Sequence, residues 1–322
     1  MMYVQQVGKV IALFHQKSLF NHTLIAVLVI LNFLFTCINV STEINHGIAA
    51  ASDNTYQFSQ VPTKNNAIDR TTTHNMNKNY SSEIGVWFYA NRYSDTIPKI
   101  IVDKLQGWKI NTIYFAGTDI EDWNNQSARN IYSTFIRHAN DKGIKVYAVT
   151  LEDPSFALKT SAELEDTFKQ FIDLTRDLFD TYVIDVEPHA ILGPDVHTFV
   201  PEYIRMSHIL GRIAQEEKIR YIDTVPYWYH TVIRQMGISP GLDILASNGV
   251  NLMTYTYTSN QTLEYIKQIE SEIKKPVTIS IKITPGQQAP QLKMSELSKT
   301  IDEFNSQALN FTIYEAQYIL SR

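Results

Sequence analysis

Phe179-Asp180-Thr181-Tyr182-Val183-Ile184-Asp185-Val186-Glu187-Pro188-His189 is the stretch around which the rest of the chain is organised. Its middle is a short β-branched run with a turn-like start and a proline behind it, the pattern of a buried strand. Strand side chains alternate between faces, so Val183, Asp185 and Glu187 point the same way. Two carboxylates on one face at the end of an apolar strand are costly to bury without partners. Like charges that close cannot both ionise freely, and the pair is expected to hold a proton at elevated pH. A glutamate raised in this way suits a general acid working near neutrality. The alternative is a structural hydrogen-bond hub.

On either side of that strand, strand-like runs alternate with helical patterns from Glu83 onward, as in parallel α/β folds. Strands are expected at Ile84–Ala90, Asn111–Ala116, Ile144–Thr150, the acidic run itself, Tyr221–Tyr227, Val250–Tyr257, Pro276–Ile283 and Phe311–Glu315. Helices are expected between them. Pro98 opens one that runs to Trp108, and another covers Ala128–Lys142, ending at Gly143. A capping-box pair, Thr160 and Glu163, starts a third that reaches Phe179. Further helices are read at Pro201–Lys218, near Asp243, at Gln261–Lys274 with Asn260 as cap, and at Ser295–Ser306. Only Glu315–Arg322 remains for an eighth, which must be short. Eight strands in about 240 residues fit a (β/α)8 TIM barrel. A doubly wound open sheet would alternate too, but no Gly-rich phosphate loop follows any strand.

The segments before the barrel have a different character. Leu24–Val40 is almost continuously apolar and is preceded by Lys9 and Lys17. It has no polar face, unlike a core helix, and it is close in length to a membrane span or a signal segment. Residues 1–40 are therefore expected to be a hydrophobic signal or membrane-anchor helix. The basic flank on its N-terminal side puts the remainder outside the membrane, either anchored or, after cleavage, secreted. Residues 41–82 are rich in Asn, Thr and Ser and read as a flexible, disordered stalk. The barrel domain occupies 83–322. Sequons at Asn79, Asn125, Asn260 and Asn310 are compatible with export.

Composition narrows the function. The 322 residues are 44% hydrophobic with a formal net charge of −5, which argues against a nucleic-acid partner. Cys37 is the single cysteine, so no intrachain disulfide can form. The nine histidines are not set at metal-ligand spacing, and neither a metal nor another cofactor is expected.

Barrel enzymes hold their chemistry at the C-terminal strand ends. Here those positions carry Tyr89, Glu152 and Asp153, Asp185 and Glu187, Tyr227 and Trp228, Tyr255 and Tyr257, Lys282, and Glu315. Carboxylates ringed by aromatics describe a sugar site, where acids work on the glycosidic bond and flat rings stack on pyranose faces. For each aromatic, and for Trp228 in particular, packing within the barrel is the competing role.

Asp180-Thr181-Tyr182-Val183-Ile184-Asp185-Val186-Glu187 resembles the fourth-strand signature of family-18 glycoside hydrolases, D-G-x-D-x-D-x-E. Met253-Thr254-Tyr255 resembles their sixth-strand M-x-Y, and both motifs fall on the strands of that number here. The run Phe179–His189 is also similar to F-D-G-I-H-L-D-x-E-P-[YH], found in exported glycoside-hydrolase-like barrels. The resemblance implies a TIM barrel in which Glu187 is the general acid/base. It further implies that Asp185 orients a substrate acetamido group acting as nucleophile, and that the Tyr255 hydroxyl bonds the same group. Tyr89, Glu152, Asp153, Trp228, Tyr257 and Glu315 would then bind the glycan. Two features depart from the pattern: Val183 stands where the family has its middle aspartate, and strand eight carries no Trp. A catalytically inactive carbohydrate-binding barrel is the alternative these departures suggest. If the anchor reading holds, protease added to intact cells should cut the stalk and release a soluble fragment of about 240 residues. Protection of the barrel until lysis would overturn it.

Overall fold

The computed structural model describes residues 82–93, 95–193, 195–255, 258–269, 272–283 and 294–320. The apolar segment, the stalk up to Ser81, and Tyr257 lie outside the described residues. Eight short runs rich in β-branched and aromatic residues form eight parallel strands: β1 (Ile84–Tyr89), β2 (Thr112–Ala116), β3 (Lys145–Thr150), β4 (Thr181–Ile184), β5 (Arg220–Pro226), β6 (Gly249–Met253), β7 (Val277–Lys282) and β8 (Asn310–Tyr314). Each pairs with the next, and β8 closes on β1 through Gly85 opposite Thr312 and Val86 opposite Ile313. The closed (β/α)8 barrel expected from the alternation is therefore present.

The pleat sorts side chains into two cores. Ile84, Val86 and Phe88 of β1, Ile113 and Phe115 of β2, and their counterparts face outward into one continuous layer under the helices. Trp87, Tyr114, Tyr147, Val149, Val183 and Ile222 face inward and form a second cluster inside the barrel. Gly85 belongs to the inward set. A Cβ there would lie 2.8 Å from both the Tyr114 ring and Thr312 Cγ2, so the aromatic filling leaves room only for hydrogen.

Three asparagines tie the strand entrances together. Asn111 Oδ1 accepts the Ile84 N–H at 2.8 Å, Asn310 Oδ1 that of Glu83 at 2.9 Å, and Asn248 Oδ1 that of Tyr221 at 2.8 Å. Backbone donors at strand ends are thereby paired across neighbouring strands. Glu83 closes the floor of the barrel by accepting the hydroxyls of Tyr114 at 2.9 Å and Tyr147 at 2.8 Å.

The helices are α1 (Ile100–Gly107), α2 (Ile120–Asn124), α3 (Gln126–Asp141), α4 (Ser161–Thr175), α5 (His189–Leu192), α6 (Val196–Glu217), α7 (Tyr229–Gln235), α8 (Ser259–Ile269), α9 (Leu297–Ser306) and α10 (Ala316–Leu320). The Thr160–Glu163 capping box starts α4 as expected. That helix stops at Thr175 and not at Phe179, because the Leu178 and Phe179 N–H groups both bond back to the Thr175 carbonyl and turn the chain into β4. The helix read from Pro201 begins at Val196. Asp195 caps it, accepting the His197 N–H at 3.0 Å and the Thr198 hydroxyl at 3.1 Å, and Pro201 sits inside the helix. A side-chain cap thus decides the start, and the proline forfeits one backbone bond. Thr258, not Asn260, caps α8: its hydroxyl accepts the Gln261 N–H at 3.3 Å, and Gln261 Oε1 accepts the Thr258 N–H at 2.9 Å. The helix after β8 is described over Ala316–Leu320.

One polar group lies deep in the helix layer. Asp223 on β5 faces outward, fully buried, and accepts the hydroxyls of Tyr203 at 3.0 Å and Ser207 at 2.9 Å as well as that of Tyr221. Burial pushes its carboxyl above the usual range while these donors pull it back. Removing the acceptor leaves the Ser207 hydroxyl without its carboxylate and leaves Tyr203 and Tyr221 only longer contacts, to the Thr224 carbonyl at 3.4 Å and to Ser207 at 3.2 Å, and a buried donor left unpaired costs about 1–3 kcal/mol. Asp223→Ala should therefore lose about 3 kcal/mol or more in denaturant melts. A loss under about 1 kcal/mol would show that the network rearranges freely.

Candidate active site

Beyond Ile184, the last residue of β4, the chain continues with Asp185 on the inward face, directly after Val183, which is fully buried among the interior rings. The carboxylate therefore stands over an apolar floor. Its Oδ1 is buried and meets no hydrogen-bond partner among the described residues. Burial holds the Asp185 carboxyl well above its ordinary range, and the charges of Glu187 and Glu152 push the same way. Glu187, half-buried two residues on, is also raised by burial. Groups coupled this closely titrate as a set, and the set keeps a proton after free carboxylates have lost theirs.

Glu152 arrives from β3 by a strained route. Leu151 takes a left-handed backbone at φ 55°, a conformation that costs a bulky residue about 1–2 kcal/mol. The turn brings Glu152 Oε2 to the backbone N–H of Gly117, 2.9 Å away at the end of β2. Gly117 is itself at φ +71°, with Asn91 2.8 Å from where a Cβ would be, so both conformation and space call for glycine. Burial raises Glu152 and the Gly117 N–H opposes it.

Two tyrosines expected in the site join these acids. Tyr255 follows β6, and its hydroxyl is raised by burial and by the charges of Asp185 and Glu187, which it therefore faces. The ring lies 5.2 Å from that of Tyr314, with Lys282 Nζ above both at 5.9 and 5.2 Å. The Tyr89 hydroxyl meets that of Tyr314 at 3.4 Å and is raised by burial, by this bond and by Glu152 and Asp185. The mouth of the barrel thus gathers Tyr89, Glu152, Asp185, Glu187 and Tyr255.

Other sequence-expected residues are engaged by further partners. Asp153 is exposed and caps the turn at Pro154–Leu158, accepting the Ser155 N–H at 2.8 Å, bonds that hold its carboxyl below the usual range. Glu315 pairs with Arg92 Nη1 at 3.0 Å and with Gln317, at the lip between β8 and β1. Trp228 is half-buried and packs edge-on against His189 at 5.2 Å, Phe199 at 5.9 Å and Tyr229 at 4.7 Å. It belongs to an aromatic wall beside Glu187, with its ring in contact with other rings.

Three residues went unread in the sequence. Tyr314, on β8, bridges Tyr89 and Tyr255. His189 Nε2 approaches Glu187 Oε2 at 3.4 Å, and Tyr229 meets the other imidazole nitrogen. His189 lies two residues after Glu187, a spacing that could have flagged it. Tyr229 carries no local signal. Among the described residues no three His, Cys, Asp or Glu side chains come together in a way that could hold a metal ion.

No family model matches this sequence, and no curated protein does. Among solved structures the chain is similar to a GH18 chitinase from Pseudoalteromonas aurantia, with a TM-score of 0.53 and 11% identity over 74% of this chain and 98% of that one. It is also similar to a family GH18 chitinase from Cycas revoluta, solved in complex with allosamidin, with a TM-score of 0.50 and 10% identity over 73% of this chain and 95% of that one. At such identities the likeness establishes the barrel fold.

The buried pair makes a pH-dependent contribution to stability whose sign follows from the shift. A carboxyl whose folded pKa is raised binds its proton more tightly in the folded state, so stability falls as pH climbs from the unfolded pKa, about 3.9, through the folded one. Asp185→Asn removes that loss. The variant should melt higher than the parent at pH 7 and match it near pH 3.5. A lower melting temperature at pH 7 would mean that ionised Asp185 is held by contacts that stabilise it.

Proposed function

We propose that this chain is an exported glycoside hydrolase acting on an extracellular or cell-envelope glycan, with Glu187 as general acid/base and Asp185 and Tyr255 assisting. The observation that carries the reading is the pairing of Asp185 and Glu187 over an apolar floor at the C-terminal end of β4, both raised by burial and both facing the Tyr255 hydroxyl. The similar fold of the two GH18 chitinases is consistent with it. Export rests on the apolar run Leu24–Val40 and its basic flank.

The chemistry follows from the protonation states. Protonated Glu187 donates to the glycosidic oxygen as the bond to the anomeric carbon breaks. An N-acetyl sugar would supply its acetamido oxygen as the nucleophile, with Asp185 orienting that group and balancing its developing charge. The Tyr255 hydroxyl can hydrogen-bond the same oxygen. Glu187, now ionised, then takes a proton from the water that attacks the anomeric carbon. Tyr89 and Tyr314 offer aromatic surface beside the reacting sugar.

A second reading is a catalytically silent carbohydrate-binding barrel. Val183 favours it, since this apolar residue fills the position where the family-18 pattern carries a carboxylate, as does the tyrosine on strand eight in place of tryptophan. Turnover on a panel of β-linked N-acetyl sugars and other glycans separates the two. Glu187→Gln preserves shape and loses the transferable proton, so turnover should fall by about 10²-fold or more with the fold retained and no loss of melting temperature. Full activity in that variant on a confirmed substrate would overturn Glu187 as the acid. Glycan binding without turnover by the parent would favour the silent barrel.

A further inference from the structure

We infer that His189, oriented by Tyr229, is a positioning residue that sets the proton affinity of Glu187. The inference rests on the assignment of Glu187 as the working acid. The geometry is a chain of three groups from two elements. Pro188 turns the strand into the single helical turn α5, and His189 is the first residue of that turn. Its Nε2 lies 3.4 Å from Glu187 Oε2. Its Nδ1 lies 2.9 Å from the hydroxyl oxygen of Tyr229, the first residue of α7.

The tautomer follows from what surrounds the phenol. The His189 backbone N–H faces the Tyr229 oxygen, which directs the hydroxyl proton to Nδ1. Nδ1 then accepts, and the ring hydrogen is left on Nε2, toward Glu187. Three rings hold the imidazole in that orientation: Phe199 at 5.9 Å, Trp228 at 5.2 Å and Tyr229 at 5.7 Å between centroids. The same enclosure disfavours the imidazolium, so His189 acts as a neutral donor. At 3.4 Å the contact is long, and such catalytic contacts tighten when substrate fills the site.

The charged and titratable groups facing Glu187 are Asp185 in the same segment after β4, Tyr255 in the segment after β6, and His189 with Tyr229 behind it. Asp185 and burial favour the protonated carboxyl. Against them His189 brings its Nε2 to 3.4 Å from the carboxylate as a neutral donor, and in this proposal it moderates the rise. Without this donor Glu187 would keep its proton to higher pH and donate it less readily in the first half of the reaction. His189 touches no reacting atom in this arrangement. It acts through Glu187.

The test uses the full chain with ¹³C-labelled glutamate side chains, and identifies the Glu187 carboxyl resonance by its loss in Glu187→Gln. His189→Phe keeps a ring in the aromatic wall and removes the donor. The Glu187 titration midpoint should move up by about one pH unit. Tyr229→Phe frees the tautomer and should move it in the same direction by a smaller amount. An unshifted midpoint in a folded His189→Phe protein overturns the inference. If that variant does not fold, an unshifted midpoint in Tyr229→Phe does so instead. The readout needs no substrate, so it is distinct from the hydrolase reading, which fails on turnover by Glu187→Gln.

Discussion

A closed barrel leaves every strand with one face turned toward a space that water does not fill, and whatever occupies that space must satisfy itself. Here the filling is divided. On the side of β1–β4 it is aromatic and aliphatic, with Trp87, Tyr114, Tyr147 and Val183 in contact. On the side of β5–β8 it is a chain of short polar groups. Trp87 Nε1 donates to Thr312 at 3.2 Å, Thr312 meets Ser280 at 2.6 Å, and Ser280 donates to Asn251 Oδ1 at 2.9 Å. The indole on β1 joins the two halves, since its face stacks on Tyr114 at 5.4 Å while its N–H enters the polar chain. Gly85 is the concession that lets this filling fit.

That interior determines the mouth. The interior hydroxyls of Tyr114 and Tyr147 are turned down to Glu83 on the floor, and among the described residues Asp185 Oδ1 meets no donor. An orphaned buried carboxylate oxygen costs stability, of the order of 1–3 kcal/mol or more for a charged group, and the strained Leu151 adds to it. Neither is needed to close the barrel. Stability given up at one end of the strands, next to two more carboxylates, is the arrangement expected where a site is built for a ligand. The Asp223 cluster is the contrast within the same molecule. It is equally buried, yet three hydroxyls satisfy it, and it serves the packing of α6 on β5.

The barrel was legible because its signal is repeated eight times: a short strand-like run rich in β-branched and aromatic residues with helical spacing between, in a length that leaves few other closures. Misread details were those where a local competitor acted. Asp195 and Thr258 start helices from side-chain caps that Pro201 and Asn260 obscured, since several good capping residues lie within a few positions of one another. Within the site, Asp185, Glu187, Glu152, Tyr89 and Tyr255 follow directly from strand order and facing. Asp153 and Glu315 satisfied the same rule by position. The first is taken by a turn and the second by Arg92, partners that strand counting cannot foresee. Tyr229 comes from a helix forty residues past His189, and contacts of that range leave no trace in spacing.

Val183 has a physical logic of its own. It has no exposed surface and packs among the rings that fill the aromatic half of the barrel. A carboxylate in its place would be buried one pleat below Asp185, with no donor free to meet it. The mouth already holds three carboxyls, all raised by burial, and Asp185 also by the charges of the other two. A fourth would raise the proton affinity of the set further, when a working acid must also release its proton. With valine in the floor, the tuning of Glu187 falls to groups at its own level: the charge of Asp185, the hydroxyl of Tyr255, and the ring of His189 held from the side by α7. Under the proposed assignment of Glu187, a donor at its own level would set its proton affinity by hydrogen bonding, where a carboxylate beneath it would act by shared charge.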